Sequence, residues 1–179
     1  SGDACPDSGG LGTGSATIVD GSPRLLFPAI HSCADGVRCF SQCVAEPANR
    51  SDPLLRTWVK RQIIDDRWVR TPPSQPPTPL IVARVEQPAG IAVNRHDDSS
   101  AFQLHGRWWM FLATGTTGLP SNHGVNLLYS SADFESWRRE HSLFNVSGGL
   151  LSCPEFYRLS NMPAGQYVYE HMADSYWIG

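Results

Sequence analysis

The chain has 179 residues, 41% of them hydrophobic and 17% charged, with a formal net charge of -3. This composition supports one packed domain and excludes disorder throughout, and the slightly acidic balance gives no basic footprint for nucleic acid or for an anionic membrane surface. No apolar run approaches about 18 residues and no charged-then-apolar leader opens the chain. A membrane-spanning helix and a signal peptide are therefore both absent from the pattern, and a secreted protein would be represented here by its mature form or an internal piece.

In chain order, residues 1–14 are glycine-rich and aperiodic and read as a loop or frayed start. Ser15 to Ile30 reads as a hairpin, with Asp20-Gly21 as its turn. Residues 31–53 read as loop. Leu54 to Trp68 fits either a helical spacing or an irregular stretch followed by a strand. The Pro-rich run 71–79 is extended, because each proline fixes its own φ and excludes helix from the residue before it; it reads as a surface loop within a single segment spanning 1–179. Asp97 and Asp98 lead into a second hairpin turned by His105-Gly106, with Arg107 to Ala113 returning. Gly124 to Ser130 is a strand, and Asp133-Phe-Glu-Ser-Trp137 is a turn closed by an aromatic plug. Phe156 to Leu159, Gln166 to Glu170 and Ser175 to Ile178 complete a series of short strands. Strands at regular spacing with tight polar turns indicate an all-β sandwich, barrel or propeller.

Five cysteines and two Asn-x-Ser tripeptides suggest an oxidising compartment. Among Cys33, Cys39 and Cys43 one local disulfide can form, Cys5 is a second potential partner, and Cys153 is expected to stay out of any bridge. Asn49 and Asn145 are the glycan acceptors, both in turn-rich sequence. Paired Cys-x-x-Cys or His spacings are lacking, so no metal site is expected, and His31, His105, His123, His141 and His171 read as surface or loop residues. No cofactor is expected. Two polar tips are candidates for chemistry: the one carrying Asp97 and Asp98, and Leu151-Ser-Cys-Pro-Glu-Phe-Tyr-Arg-Leu159. Trp108, Trp109, Trp137 and Trp177 are candidate sugar platforms or core residues; the first two point to opposite faces.

Four blocks occur in the order and approximate spacing of a known family: Gly14-Ser-Ala-Thr-Ile-Val-Asp-Gly21, Glu46-Pro-Ala-Asn-Arg-Ser-Asp-Pro-Leu-Leu-Arg-Thr-Trp-Val-Lys60, Ser131-Ala-Asp-Phe-Glu-Ser-Trp137 and Ser152-Cys-Pro-Glu-Phe156. With them the chain resembles the invertase-type β-fructofuranosidases of glycoside hydrolase family 32, most closely the plant acid-invertase branch. The resemblance implies a five-bladed β-propeller, of which this chain supplies about three blades, and action on sucrose or fructans in the cell wall, extracellular space or vacuole.

The resemblance also implies three carboxylates in a retaining mechanism, in which one attacks the anomeric carbon and another protonates the leaving oxygen. The nucleophile's Asn-Asp-Pro-Asn motif has no counterpart here. The Asp of an Arg-Asp-Pro motif falls on Asp97, with His96 in place of the arginine and Asp98 in place of the proline. The acid/base Glu falls on Ser152, and Glu155 takes the position of an Asp. Thr13 takes the place of a sugar-contacting serine. A positioned general acid contributes about 10²–10⁴ in rate, and a serine hydroxyl cannot replace it. Glu155, if it followed Ser152 along an extended strand, would lie about 10 Å away on the opposite face. The expectation is a segment that is inactive as a lone chain, with a β-fructoside or a protein that completes the propeller as its partner; the alternative is a non-catalytic carbohydrate- or protein-binding fragment.

Overall fold

Both expected tight turns form. Asp20 and Gly21 have φ of 50° and 72°, and His105 and Gly106 have 52° and 73°. Positive φ at both central residues matches the turn to the right-handed twist of the strands it joins. The computed structural model describes residues 5–32, 38–64, 92–117, 123–147, 152–171 and 175–178, and within them every regular element is a strand. The all-β expectation holds. The Pro-rich run lies outside the described residues.

Three antiparallel sheets follow one another along the chain. In the first, β1 (Gly10–Leu11) and β2 (Ser15–Val19) share one edge of the long β3 (Ser22–Ser32), which pairs with β4 (Arg38–Pro47) and then β5 (Trp58–Ile64). The second is a four-stranded meander of β6 (Ala92–Leu104), β7 (Arg107–Thr117), β8 (His123–Ser131) and β9 (Arg138–Ser147). The third comprises β10 (Glu155–Tyr157), β11 (Val168–His171) and β12 (Ser175–Ile178).

Several expectations are corrected. The stretch read as loop over 31–53 contains the end of β3 and all of β4, paired from Leu25 opposite Ala45 to Ser32 opposite Arg38. Its strand character was masked because Ser41 and Gln42 are fully buried, so polarity does not alternate with exposure. Residues 5–14 are not frayed: Cys5 is bridged to Cys43, Leu11 pairs with Ala29, and Gly12 N–H donates to the Pro28 carbonyl at 2.9 Å. Of the two readings of 54–68, the irregular stretch followed by a strand is the one observed over the described residues 54–64. Strand β9 was not anticipated, and Asn145 lies within it rather than in a turn. In the third sheet, the strands begin or end one or two residues from their expected positions, apart from Ser175–Ile178.

The sheets stack face to face, and strand alternation decides which residue serves which interface. Val19, Leu26, Val44 and Ile64 of the first sheet meet Met110, Leu112, Val125, Leu127 and Tyr129 of the second. The opposite face of the second sheet offers Phe111 and Leu128 to Tyr169 and Phe156 of the third. Trp108 joins the first cluster and Trp109 the second, the split expected of neighbouring strand residues. Burial raises the Tyr169 phenol to about 12, although the hydrogen bond from Asn126 Nδ2 pulls the other way. It therefore stays neutral in its apolar setting.

The plug forms as read. Phe134 is fully buried beside Trp137 and edge-on to Trp108, while Asp133 Oδ1 accepts the backbone N–H groups of Glu135 and Ser136 at 2.8 Å each. Those two bonds hold its carboxyl below the usual range. From the same turn Glu135 reaches Arg61 of β5 at 2.6 Å, an ion pair between the first two sheets.

The face of the first sheet turned away from the second is also apolar. Phe27, Ala29, Cys43 and Ala45 form its floor, partly roofed by the disulfide-bound segment, and a cavity of about 520 Å³ remains beside Leu11, Leu25 and Trp58. Gly14 marks how closely that segment approaches β3, since a Cβ there would lie 1.8 Å from the Leu26 carbonyl oxygen. Gly14→Ala must push β2 from β3, at a cost of about 1–3 kcal/mol. The expected result in thermal denaturation is a fall in Tm of roughly 3–10 °C; an unchanged Tm would show that the segment does not pack this tightly.

Candidate functional site

Strand β6 lies between the other two sheets, touching β2, β3 and β4 on one side and β10 on the other. Its side chains alternate accordingly. Ser99 Oγ donates to Gln42 Oε1 of the first sheet at 3.1 Å, and Ala101 packs on the apolar cluster there. Ser100 Oγ donates to Glu155 Oε2 of the third sheet at 3.2 Å, and Phe102 stacks on Phe156.

The Asp97-Asp98 pair interrupts this alternation. His96 is opposite Thr114 and Ser99 opposite Leu112, so two residues of β6 face Ala113 alone. Such a bulge re-aims a side chain, and here it places Asp98 where all three sheets converge. Asp98 is 6% exposed. Its Oδ1 accepts a hydrogen bond from Thr13 Oγ1, in the segment leading into β2. Its Oδ2 accepts one from Cys153 Sγ at 2.9 Å, in the segment leading into β10. Both oxygens of one carboxylate are thus held by groups from different sheets.

The second polar tip owes its shape to Cys153, whose φ of 50° is left-handed although a proline follows. Ser152, Cys153 and Pro154 are therefore not strand, and β10 begins only at Glu155. The extended strand from Ser152 to Glu155 on which the expected separation rested is therefore not formed. The kink lets Cys153 and Glu155 both reach β6, at Asp98 and Ser100, two residues apart on one face and so about 7 Å apart along the strand. Glu155 is exposed as a residue. Its carboxyl, turned against Ser100, is nonetheless desolvated enough to be pushed above the ordinary range; the Ser100 hydrogen bond opposes the rise and the Glu170 charge adds to it.

The candidate residues are thus distributed unequally. Thr13 and Glu155 join the cluster around β6. His96 and Asp97 sit on β6 at the bulge, with side chains outside the described residues, and Ser152 lies just before the Cys153 kink. Asn49 is an exposed turn residue whose Oδ1 accepts the Ser51 N–H at 3.0 Å, and the Asn145 side chain is outside the described residues. Sequence reasoning missed Asp98 and Cys153 as contact residues. Asp98 shares parity with Ser100 and Phe102, whereas Asp97 shares parity with Ser99, a phase that can be read only once the bulge between His96 and Ser99 is known. Among the described residues no group of three or more His, Cys, Asp or Glu side chains is placed to hold a metal ion.

The chain is similar to known proteins along almost its whole length. The family model "Glycosyl hydrolases family 32 N-terminal domain" matches residues 2–176. The chain is 31% identical over 180 residues to the insoluble isoenzyme 1 β-fructofuranosidase of Oryza sativa subsp. indica, covering 94% of this chain and 27% of that protein. It is 32% identical over 155 residues to the fructan 6-exohydrolase of Triticum aestivum, covering 84% and 23%. Among solved structures, fructan 1-exohydrolase IIa from Cichorium intybus superposes with a TM-score of 0.65 at 27% identity, over 99% of this chain and 32% of that one. The chain thus spans about a quarter of the length of these curated relatives, and its three sheets form a partial five-bladed propeller. It belongs to glycosyl hydrolase family 32, within that family's N-terminal domain.

Proposed function

We propose that the chain is an invertase-like glycoside hydrolase segment that holds a β-fructoside, sucrose or a fructan, at the meeting point of its sheets and does not cleave it as a lone chain. The observation that carries this reading is the Asp98 carboxylate, fixed from two sheets by Thr13 and Cys153. A carboxylate held in this way is pre-organised to accept sugar hydroxyls, which exchange hydrogen bonds with water for charge-assisted ones. Relatives that act on β-fructofuranosyl bonds support the ligand class. Asp97, His96 and Ser152 belong to the same proposed site by their places on β6 and before β10. The lack of a nucleophile motif, and a serine at 152 where the resemblance expects the acid, argue against turnover. Glycans at Asn49 and Asn145, and secretion to the cell wall, extracellular space or vacuole, complete the reading; one relative from Zea mays is a cell wall isozyme.

A second reading, binding of a protein partner, draws on the outer face of the first sheet, where Leu11 and Leu25, which line the apolar cavity, are 54% and 37% exposed. It complements the first if the partner completes the propeller.

Calorimetry with sucrose and a short fructan at about pH 5 is the direct test. We expect saturable binding without release of reducing sugar. Asp98→Ala should weaken binding by about ten- to a hundredfold, the loss of one or two charge-assisted hydrogen bonds at about 1.5–3 kcal/mol. No binding by the folded chain would remove the carbohydrate reading and leave the protein partner; sugar release lost in Asp98→Ala would overturn inactivity. A separate expectation concerns folding. Asp98→Ala also strips Thr13 and Cys153 of their acceptor, so urea unfolding should show a loss of about 1–3 kcal/mol. Thr13→Val, which removes one donor and leaves the carboxylate, should lose about 1 kcal/mol.

A further inference from the structure

Position 152 offers a hydroxyl where hydrolases of this resemblance carry an acid, yet the site is not without a second carboxyl. Resting on the β-fructoside reading above, we propose that Glu155 is a second sugar-contacting group, which engages the bound β-fructoside as the neutral acid and donates its proton as a hydrogen bond to a sugar oxygen while Asp98 accepts from a sugar hydroxyl.

Three features of the geometry carry this. First, the left-handed kink at Cys153 turns Glu155 toward β6, where Ser100 anchors one of its oxygens at 3.2 Å and leaves the other for a ligand. Second, Asp98 and Ser100 share a face of β6, so the anchors of the two carboxyls are two residues, about 7 Å, apart, within the span of one sugar unit. Third, Glu155 is directly opposite Glu170 across the β10–β11 ladder. The Glu170 charge so placed opposes ionisation of Glu155. Tyr157 OH donates to Glu170 Oε2 at 3.0 Å and so fixes that side chain in place.

The remaining titratable surroundings are Asp98 from β6, Cys153 from the kink and Tyr157 from β10 itself; no cation among the described residues forms an ion pair with Glu155. Desolvation favours the neutral form, with the Glu170 charge acting in the same direction. A carboxyl raised in this way binds as the acid below its midpoint and loses that form as pH rises through it. Sucrose affinity should therefore be flat on the acid side and fall toward tenfold per pH unit above the midpoint.

Calorimetry of the 179-residue chain with sucrose between pH 4.5 and 7.5 is paired with carboxyl-carbon NMR, in which Glu155→Gln identifies the Glu155 signal. We expect that signal to titrate above the ordinary value of about 4.3. Glu155→Gln, whose amide donates at every pH, should bind with little pH dependence, and Glu170→Gln should move the midpoint down. His96 and Asp97 lie on the same strand, so the comparison with Glu155→Gln, rather than pH dependence alone, is decisive. Sucrose binding that is equally tight across the range, pH dependence that survives in Glu155→Gln, or a Glu155 signal titrating at or below the ordinary value would each overturn the proposal and leave the β-fructoside reading intact. Absence of sucrose binding at every pH in a folded chain would overturn that reading, and the proton donation with it.

Discussion

A strand held between two sheets must satisfy two different neighbours with alternate side chains, and β6 does so largely with polar groups. Ser99 turns to Gln42 while Ser100 turns to Glu155, and both serines are buried. A buried hydroxyl without a partner costs about 1–3 kcal/mol, so each of these bonds penalises any docking that would leave it unmade. Hydrophobic packing, with Leu26 and Leu112 in one cluster and Phe156 edge-on to Phe111, supplies the larger driving force but is tolerant of small slides. The polar pairs of β6 fix the register of three sheets at the place where Asp98 emerges.

The parts of the fold that were legible in the sequence are those written in local chemistry. Asp20-Gly21 and His105-Gly106 specify two turns because few residue pairs accept positive φ twice in succession. Asp133 announces its turn because its short side chain can accept the backbone N–H groups just ahead of it. Strand β4 was not legible for the opposite reason. Gln42 is fully buried yet polar, its demand met by Ser99 on a strand more than fifty residues away. Alternation of polarity then no longer reports alternation of exposure.

The site shows the same division. That the two polar tips carry the candidate residues was readable from the blocks that resemble the family; which of two adjacent aspartates faces the convergence of the sheets was not. A one-residue bulge shifts the phase of everything beyond it, and the bulge is fixed by the pairing of β6 with β7, outside the reach of the local sequence. The placement of Glu155 was hidden similarly. A left-handed cysteine before proline is disfavoured by local sterics, so only the surrounding packing holds it. Both departures from local preference occur in the segments that converge on Asp98, consistent with strain being concentrated where geometry matters more than stability.

The Cys5–Cys43 bridge has a consequence beyond the sheet it joins. It spans 38 residues and closes the segment that carries Thr13 onto β4. In the chain-entropy account, a closed loop of that length disfavours the unfolded chain by about 4 kcal/mol. Without the bridge, the path to Thr13 would be held by the two-residue strand β1, a few backbone hydrogen bonds near Pro28 and Ile30, and the ion pair of Asp7 with Lys60 of β5. The donor on Asp98 Oδ1 is therefore tied to the redox history of the chain. Folded under oxidising conditions, the carboxylate is gripped from both sides; folded as a dithiol, it would keep its grip from Cys153 and hold Thr13 more loosely.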